Sequence, residues 1–155
     1  MDNEELLKEL IKQIKIMNMD PEYWELVMSV QDVPTTVIAG DLRVLQEEYE
    51  RGKLIALGIF LDNKDTTIEM RFDDELFLRR TVEEIYDSGV VGYNPTTFWI
   101  AKYDTTNNSY AIWLTPALPK DYFGSFKCQI IAPPLSNVSY MYTVYRYRLK
   151  KEAYS

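Results

Sequence analysis

The sequence predicts a mainly β protein: an antiparallel two-sheet sandwich, jelly-roll-like, with an N-terminal helical arm and one short inserted helix. About eight strand-like stretches follow one another after Pro34, joined by turns rich in Asp, Asn, Gly and Pro. Eight strands is the number found in jelly rolls, and the lack of long helices between strands disfavours the α/β class. A length of 155 residues fits one domain, so residues 1–31 are predicted as the arm and residues 32–155 as the sandwich.

The arm is predicted to contain two helices. Residues 3–18 carry apolar residues at helical spacing, and Asp20-Pro21 is predicted to cap a second helix that ends near Ser29 and carries Trp24. Two placements remain open, packing on the domain's own core or docking on a neighbouring subunit. The apolar stripe of the first helix is Leu7, Leu10, Ile11, Ile14 and Met17.

The first half of the sandwich is predicted from β-type patterns. A β-branched run at 35–39 comes first, and residues 42–51 fit a helix or a strand, with the surroundings favouring a strand. Residues 53–61 are apolar on both faces, and residues 66–72 alternate between apolar and polar. The polar turn between these two segments predicts an antiparallel hairpin.

The second half begins with a short helix. Thr81 and Glu84 form a capping box that predicts the start of the helix. Ile85 and Tyr86 are expected to face inward, and Gly89 is expected to end the helix. The strands that follow are predicted at 98–103, 110–114, 126–131 and 138–149.

Aromatic residues are the most informative excess, with 12 Tyr, 6 Phe and 3 Trp. The last strand places tyrosine on both of its faces, so one face either packs within the sheet or offers a tyrosine stripe to a partner. Trp99 and Trp113 fall on neighbouring strands and are candidate platforms for stacking on a glycan. The tyrosines of the last strand are Tyr140, Tyr142, Tyr145 and Tyr147.

Composition argues against an enzyme. The chain has no histidine and a single cysteine, Cys128, which removes His-dependent catalysis, cysteine zinc clusters and internal disulfides. Asp73 and Asp74 are the carboxylates that a hydrolase would use, but adjacent acids at a strand end are typical of solvated turns. We therefore expect no catalytic residue, no metal and no cofactor.

The net charge of −7 makes nucleic acid an improbable partner. The basic C-terminal end is an exception, because it could protect an exposed strand edge or bind an acidic partner. No apolar run approaches the ~20 residues that span a bilayer, and the acidic N-terminus does not resemble a signal peptide. We expect a protein that is made in a cytosol and kept there or packed into a particle. The basic end consists of Arg146, Arg148, Lys150 and Lys151.

The segments 81–89, 93–95, 100–110 and 123–131 contain a capped helix, a Tyr-Asn-Pro loop, a hairpin with an Asp/Thr/Asn turn and a late strand. In this texture residues 53–149 resemble β-sandwich structural proteins of archaeal and bacterial viruses. The resemblance implies a capsid, cement, spike or tail component located in the virion and synthesised in the host cytoplasm. It implies no catalytic residues.

The resulting hypothesis is a viral structural protein that acts through assembly with copies of itself and other virion proteins. The alternative is a carbohydrate-binding, lectin-like module used for host attachment, with Trp99 and Trp113 as its platform. The expected interface residues are Leu7, Leu10, Ile11, Ile14, Trp24, Tyr140, Tyr142, Tyr145 and Tyr147.

Overall fold

The computed structural model describes residues 2–88, 98–116 and 120–154, and within them the chain forms mostly β-strands. The strands are β1 (Trp24–Val37), β2 (Leu42–Glu48), β3 (Gly52–Leu61), β4 (Thr67–Phe72), β5 (Glu75–Thr81), β6 (Phe98–Asp104), β7 (Ser109–Leu114), β8 (Lys120–Tyr122), β9 (Phe126–Ile131) and β10 (Val138–Leu149). The helices are α1 (Asn3–Met17), α2 (Val82–Asp87) and a final 3₁₀ turn (Lys151–Tyr154).

The strands pair in a nested order. The first sheet has the order β1-β10-β3-β7-β6, with β8 alongside β3, and the second sheet has the order β2-β9-β4-β5. All the described pairs are antiparallel, and four of them are nested in the sequence: β1 with β10, β2 with β9, β3 with β7 and β4 with β5. This nested connectivity is that of a jelly roll. The predicted antiparallel two-sheet sandwich is confirmed.

The core lies between the two sheets and is built from alternating strand positions. Leu57 and Ile59 of β3 are fully buried, as are Ile68 and Met70 of β4, one strand from each sheet. A register irregularity of β3 against β10 falls at Ile55, where the alternation shifts by one residue and Leu54 also becomes buried.

The predicted second helix of the arm is wrong. Residues 24–31 belong to strand β1 and pair with β10, so this part of the predicted arm lies in the first sheet. Every second position of this segment is a large apolar residue, which is the period of a strand: Trp24, Leu26, Met28 and Val30. Asp20 does not cap a helix, since its carboxylate accepts a hydrogen bond from the Glu22 amide in a tight turn.

The predicted hairpin of residues 53–72 is also wrong. β3 pairs with β10, β7 and β8 in the first sheet, whereas β4 pairs with β5 and β9 in the second sheet. The polar turn at 62–66 therefore crosses from one sheet to the other. The alternation of residues 66–72 identifies a strand but does not identify its neighbour.

Other local predictions are confirmed. α1 and β10 lie where the sequence placed them, residues 42–48 form a strand, and Thr81 and Glu84 form the capping box of α2. β6 and β7 form the expected hairpin. Strands β5 and β8 were not predicted. The helix stop at Gly89 and the loop at 93–95 lie outside the described residues.

Candidate assembly surface

The first sheet turns an apolar surface away from the core, which we call the apolar face. Three β1 side chains project from it with more than half of their area exposed: Leu26 (60%), Met28 (58%) and Val30 (51%). Large contiguous exposed apolar patches on soluble proteins mark interaction sites. The apolar face consists of Leu26, Met28 and Val30 of β1, Met141, Thr143, Tyr145 and Tyr147 of β10, Phe60 of β3, Trp113 of β7 and Trp99 of β6.

Strand register carries the apolar face across five strands. Val30 of β1 lies opposite Thr143 of β10, which lies opposite Gly58 of β3. Gly58 lies opposite Trp113 of β7, and Trp113 lies opposite Trp99 of β6. Because directly paired residues point to the same side of a sheet, this row runs from one edge strand to the other.

The surface between β1 and β3 is concave. A depression of about 200 Å³ lies there, and Val30, Phe60, Met141 and Thr143 are among its lining residues. Only Asp32 among its lining residues carries a charge. Its volume lies below the roughly 300–1,000 Å³ of typical small-molecule sites.

Trp99 and Trp113 lie together on the apolar face, as the sequence predicted for neighbouring strands. Their ring centroids are 6.5 Å apart and their planes differ by 19°. The Trp99 indole donates a hydrogen bond to the Thr115 hydroxyl at 2.9 Å. Trp113 covers Gly58 so closely that a Cβ built on Gly58 would lie 2.7 Å from its ring. Both rings are half-buried and keep part of their surface exposed.

Helix α1 carries a second uncovered apolar surface, which we call the α1 stripe. Asp2 and Glu5 form a capping box at its start, so the helix begins where its amides are satisfied. Ile16 is the one buried residue of the helix. The stripe residues are all exposed: Leu6, Leu7, Leu10, Ile11, Ile14 and Met17.

The C-terminal end of α1 is fixed to the sandwich. Ile16 packs with Trp24, Leu149 and Ala153 in a small cluster separate from the main core. The Trp24 indole donates to the backbone oxygen of Ile16 at 2.8 Å. Trp24, expected from sequence as an interface residue, is therefore covered by its own chain and is only 3% exposed.

The tyrosines of β10 divide between the two sides of the sheet. Tyr140 is buried and Tyr142 packs against the main core, and burial raises the pKa of Tyr142. Tyr145 and Tyr147 lie on the apolar face, opposite Met28 and Leu26. Of these four tyrosines only Tyr145 is exposed, because Tyr147 is half-buried and packs against the cluster of Ile16 and Trp24 in its own chain.

The two central strands of the second sheet, β9 and β4, carry a polar network on their outer side. Glu69 accepts a hydrogen bond from the Gln129 amide on the neighbouring strand and another from Arg71 at 3.1 Å. Burial opposes ionisation of Glu69, but these hydrogen bonds outweigh it and hold its pKa below the usual range. The two outer surfaces differ in their central strands, although the second sheet also exposes the apolar side chains of Leu42 and Leu76 at its edges.

The predicted basic C-terminal patch is not a continuous surface, and β10 is not an edge strand. Arg146 is buried, and its Nε lies 2.5 Å from the Glu48 carboxylate. Glu48 also accepts a hydrogen bond from Tyr122 at 2.6 Å, and burial together with this bond raises the pKa of Tyr122. Arg148 binds Glu25 at 2.5 Å. These arginines neutralise the protein's own acids instead of facing a partner.

Asp73 is held as a structural anion. Its carboxylate accepts hydrogen bonds from the backbone amides of Phe123, Gly124 and Ser125. Burial pushes the pKa of Asp73 up, but the three amides more than offset it and keep the pKa below the ordinary value. A general acid needs the opposite shift, so this geometry favours a loop-fixing role.

Cys128 lies in the main core, fully buried on β9. Burial raises the pKa of its thiol to about 12. A protonated, enclosed thiol is not a nucleophile at neutral pH.

Sequence reasoning missed Leu26, Met28 and Val30, the most exposed part of the apolar face. The signal was present, because these residues recur at every second position from Trp24 onward. The aspartate-proline pair before them is a common helix start, and this signal competes with the strand period.

No protein-family model matches the chain, and no curated protein sequence is significantly similar to it. Across residues 2–88, 98–116 and 120–154, none of the helices has both the length and the apolar character that a bilayer span requires. In the same residues no group of three or more potential metal ligands comes together.

Proposed function

We propose that this protein is a non-enzymatic structural subunit of a virus particle that works by assembling with copies of itself and other particle proteins. The observation that carries the proposal is the apolar face, together with the uncovered α1 stripe. Covering apolar area contributes roughly 25 cal/mol per Å², so a surface that spans five strands supplies a substantial driving force for association.

The virus-particle part of the proposal has two supports. Jelly-roll connectivity recurs in viral capsid and lectin domains, and residues 53–149 resemble virion structural proteins in their sequence texture. Fold alone does not assign function, so the decisive observation lies outside the chain. Genes for capsid, portal or tail proteins beside this gene, and the chain itself in purified particles, would support the proposal. Its absence from such particles would contradict it.

Association through the apolar face is tested by placing a charge on it. Met28→Glu puts a carboxylate at a position that is exposed in the subunit, so the fold tolerates it while an apolar contact does not. Leu42→Glu is the matched control, because Leu42 is also an exposed strand residue but lies in the second sheet. Sedimentation velocity should show a lower mass for Met28→Glu and the wild-type mass for Leu42→Glu. Equal masses for all three proteins would contradict the proposal.

A second candidate function is glycan binding during host attachment. The observation that favours it is the pair of nearly parallel, partly exposed indoles of Trp99 and Trp113. On a glycan array, Trp99→Ala should abolish binding, whereas Phe123→Ala removes an exposed aromatic ring elsewhere and should not. If the wild-type chain binds no glycan, or if both variants behave alike, the tryptophan pair is not a sugar platform.

A further inference from the structure

We infer that the α1 stripe of one copy lies on the apolar face of a second copy, and that the second copy returns the same contact. The inference rests on the proposed function, assembly with copies of itself. It goes further by naming the two surfaces that meet and the symmetry of the contact.

The α1 stripe points away from its own sandwich. Ile16 faces Trp24 and Leu149, and the hydrogen bond from the Trp24 indole to the Ile16 oxygen holds that side of the helix inward. Successive helix residues turn by about 100°, so Ile14 points roughly 200° away from Ile16. The stripe residues therefore cannot reach their own apolar face while this anchor is intact.

A salt bridge strengthens the anchor at the same end of the helix. Lys15 binds Glu22 in the turn that leads into β1, with their charged atoms 2.8 Å apart. The direction in which α1 leaves the sandwich is thus set by contacts within the chain. An element that is already oriented loses less entropy on docking than a flexible segment.

The two surfaces agree in size and in character. The 15 residues of α1 span about 22 Å at 1.5 Å per residue, and the row of five strands from Val30 to Trp99 spans about 19 Å at the usual strand spacing. The stripe consists of Leu, Ile and Met, and the apolar face consists of apolar and aromatic side chains and Thr143, with Lys53 and Lys102 at its borders. Docking of the α1 stripe on the apolar face would remove the exposed apolar side chains of both surfaces from water.

Reciprocity follows from the area that a stable contact needs. Specific interfaces bury about 800 Å² on each partner, from roughly 20 residues or more. The stripe alone has six residues, so one helix on one sheet is too small. If each copy supplies both its six stripe residues and the ten residues of its apolar face around a two-fold axis, every subunit contributes 16 residues, which approaches that number.

The length and the charge of α1 disfavour two other partners for the stripe, a coiled-coil helix and a membrane surface. A stripe of about two heptads is short for an isolated coiled coil. The polar side of α1 mixes Glu4, Glu5 and Glu9 with three lysines, whereas helices that lie on membranes carry a predominantly basic polar side.

The test is cross-linking of the full chain. Copies carrying Leu10→Cys and copies carrying Met28→Cys, distinguished by tags of different size, are co-expressed and treated with a short bis-maleimide. The native Cys128 is enclosed in the core and does not compete. A cross-linked species containing both tags is expected. With Glu9→Cys in place of Leu10→Cys the species should be lost, because Glu9 lies on the other side of α1.

The outcomes separate the two claims. A multimer that links only Leu10→Cys to Leu10→Cys, or that shows no mixed link, overturns the reciprocal docking and leaves assembly in place. A mass of 18.2 kDa for the untreated wild-type chain at every concentration contradicts assembly itself. A mixed link that persists with Glu9→Cys reflects random collision and also overturns the inference.

Discussion

The indole of Trp24 and the backbone oxygen of Ile16, 2.8 Å apart, join the N-terminal helix to the sandwich. The acceptor is one of the last carbonyls of α1, which have no partner within the helix. Trp24 is also the first residue of β1 and lies opposite Leu149 at the end of β10. The Trp24 side chain therefore contacts the C-terminal end of α1 at the place where the start of β1 pairs with the end of β10.

Trp24→Phe should weaken the attachment of α1 to the sandwich while keeping an aromatic side chain in the cluster. The substitution keeps an aromatic ring but removes the donor, and a lost hydrogen bond of this kind lowers the free energy of unfolding by about 1 kcal/mol. Hydrogen exchange should become faster in α1 while the amides of β3 stay protected. Unchanged protection of α1 would show that the bond does not hold the helix.

Glu48→Gln should destabilise the fold strongly. Glu48 lies 2.5 Å from Arg146 and both side chains are buried, so the substitution leaves a buried arginine without its closest countercharge. Breaking a buried pair from one side costs about 3–5 kcal/mol, which urea denaturation can measure. Glu4→Gln breaks the exposed pair with Lys8 and should change stability little. Similar effects of the two variants would contradict the burial argument.

Asp73→Asn should remove a pH-dependent part of the stability. The pKa of Asp73 is lowered in the folded protein, so its contribution is present above the unfolded pKa of about 3.9 and is lost as the pH falls through the folded pKa. The melting temperature of the variant should be lower at neutral pH, and the difference from wild type should shrink below about pH 4.

Asp74→Asn is the control for that experiment. Asp73 and Asp74 both have a positive φ, which asparagine tolerates, so the turn itself survives either change. The amides of residues 123–125 point to Asp73, and we therefore expect the smaller effect for Asp74→Asn. The assignment fails if the two variants lose equal stability at every pH.

Gly58→Ala should disturb Trp113. The new Cβ would lie 2.7 Å from the indole ring, closer than real contacts allow, and overpacking of this kind costs about 1–3 kcal/mol. The cost should fall in a Trp113→Leu background, because the obstructing ring is gone. Gly124→Ala is the control, since its Cβ would meet its nearest neighbour at an ordinary 3.6 Å. An equal cost in both backgrounds would show that Trp113 does not cover Gly58.

Much of the fold was predictable because local chemistry specifies it. The capping box of Thr81 and Glu84 fixes the start of α2, and the alternation from Val138 to Leu149 fixes β10. The division into sheets was not predictable, because β3 and β4 show the same kind of pattern but pair with different neighbours. Periodicity reports the burial of a face and not the identity of the partner strand.

The candidate surface was predictable only in part. The α1 stripe and the Trp99–Trp113 neighbourhood follow from spacing, and both are found. Trp24 and Tyr140 carry the same residue chemistry as exposed contacts, but they are buried because tertiary packing covers them. Arg146 read as a surface cation because its partner Glu48 lies far away in the sequence and approaches only when the sheets close.

The most direct test of the account is the mass of the intact chain in solution across a range of concentrations. If the apolar face is covered by other copies, sedimentation equilibrium should give multiples of 18.2 kDa that grow with concentration, beginning with the dimer. A single species of 18.2 kDa at all concentrations, with the apolar face still exposed to water, would contradict the account.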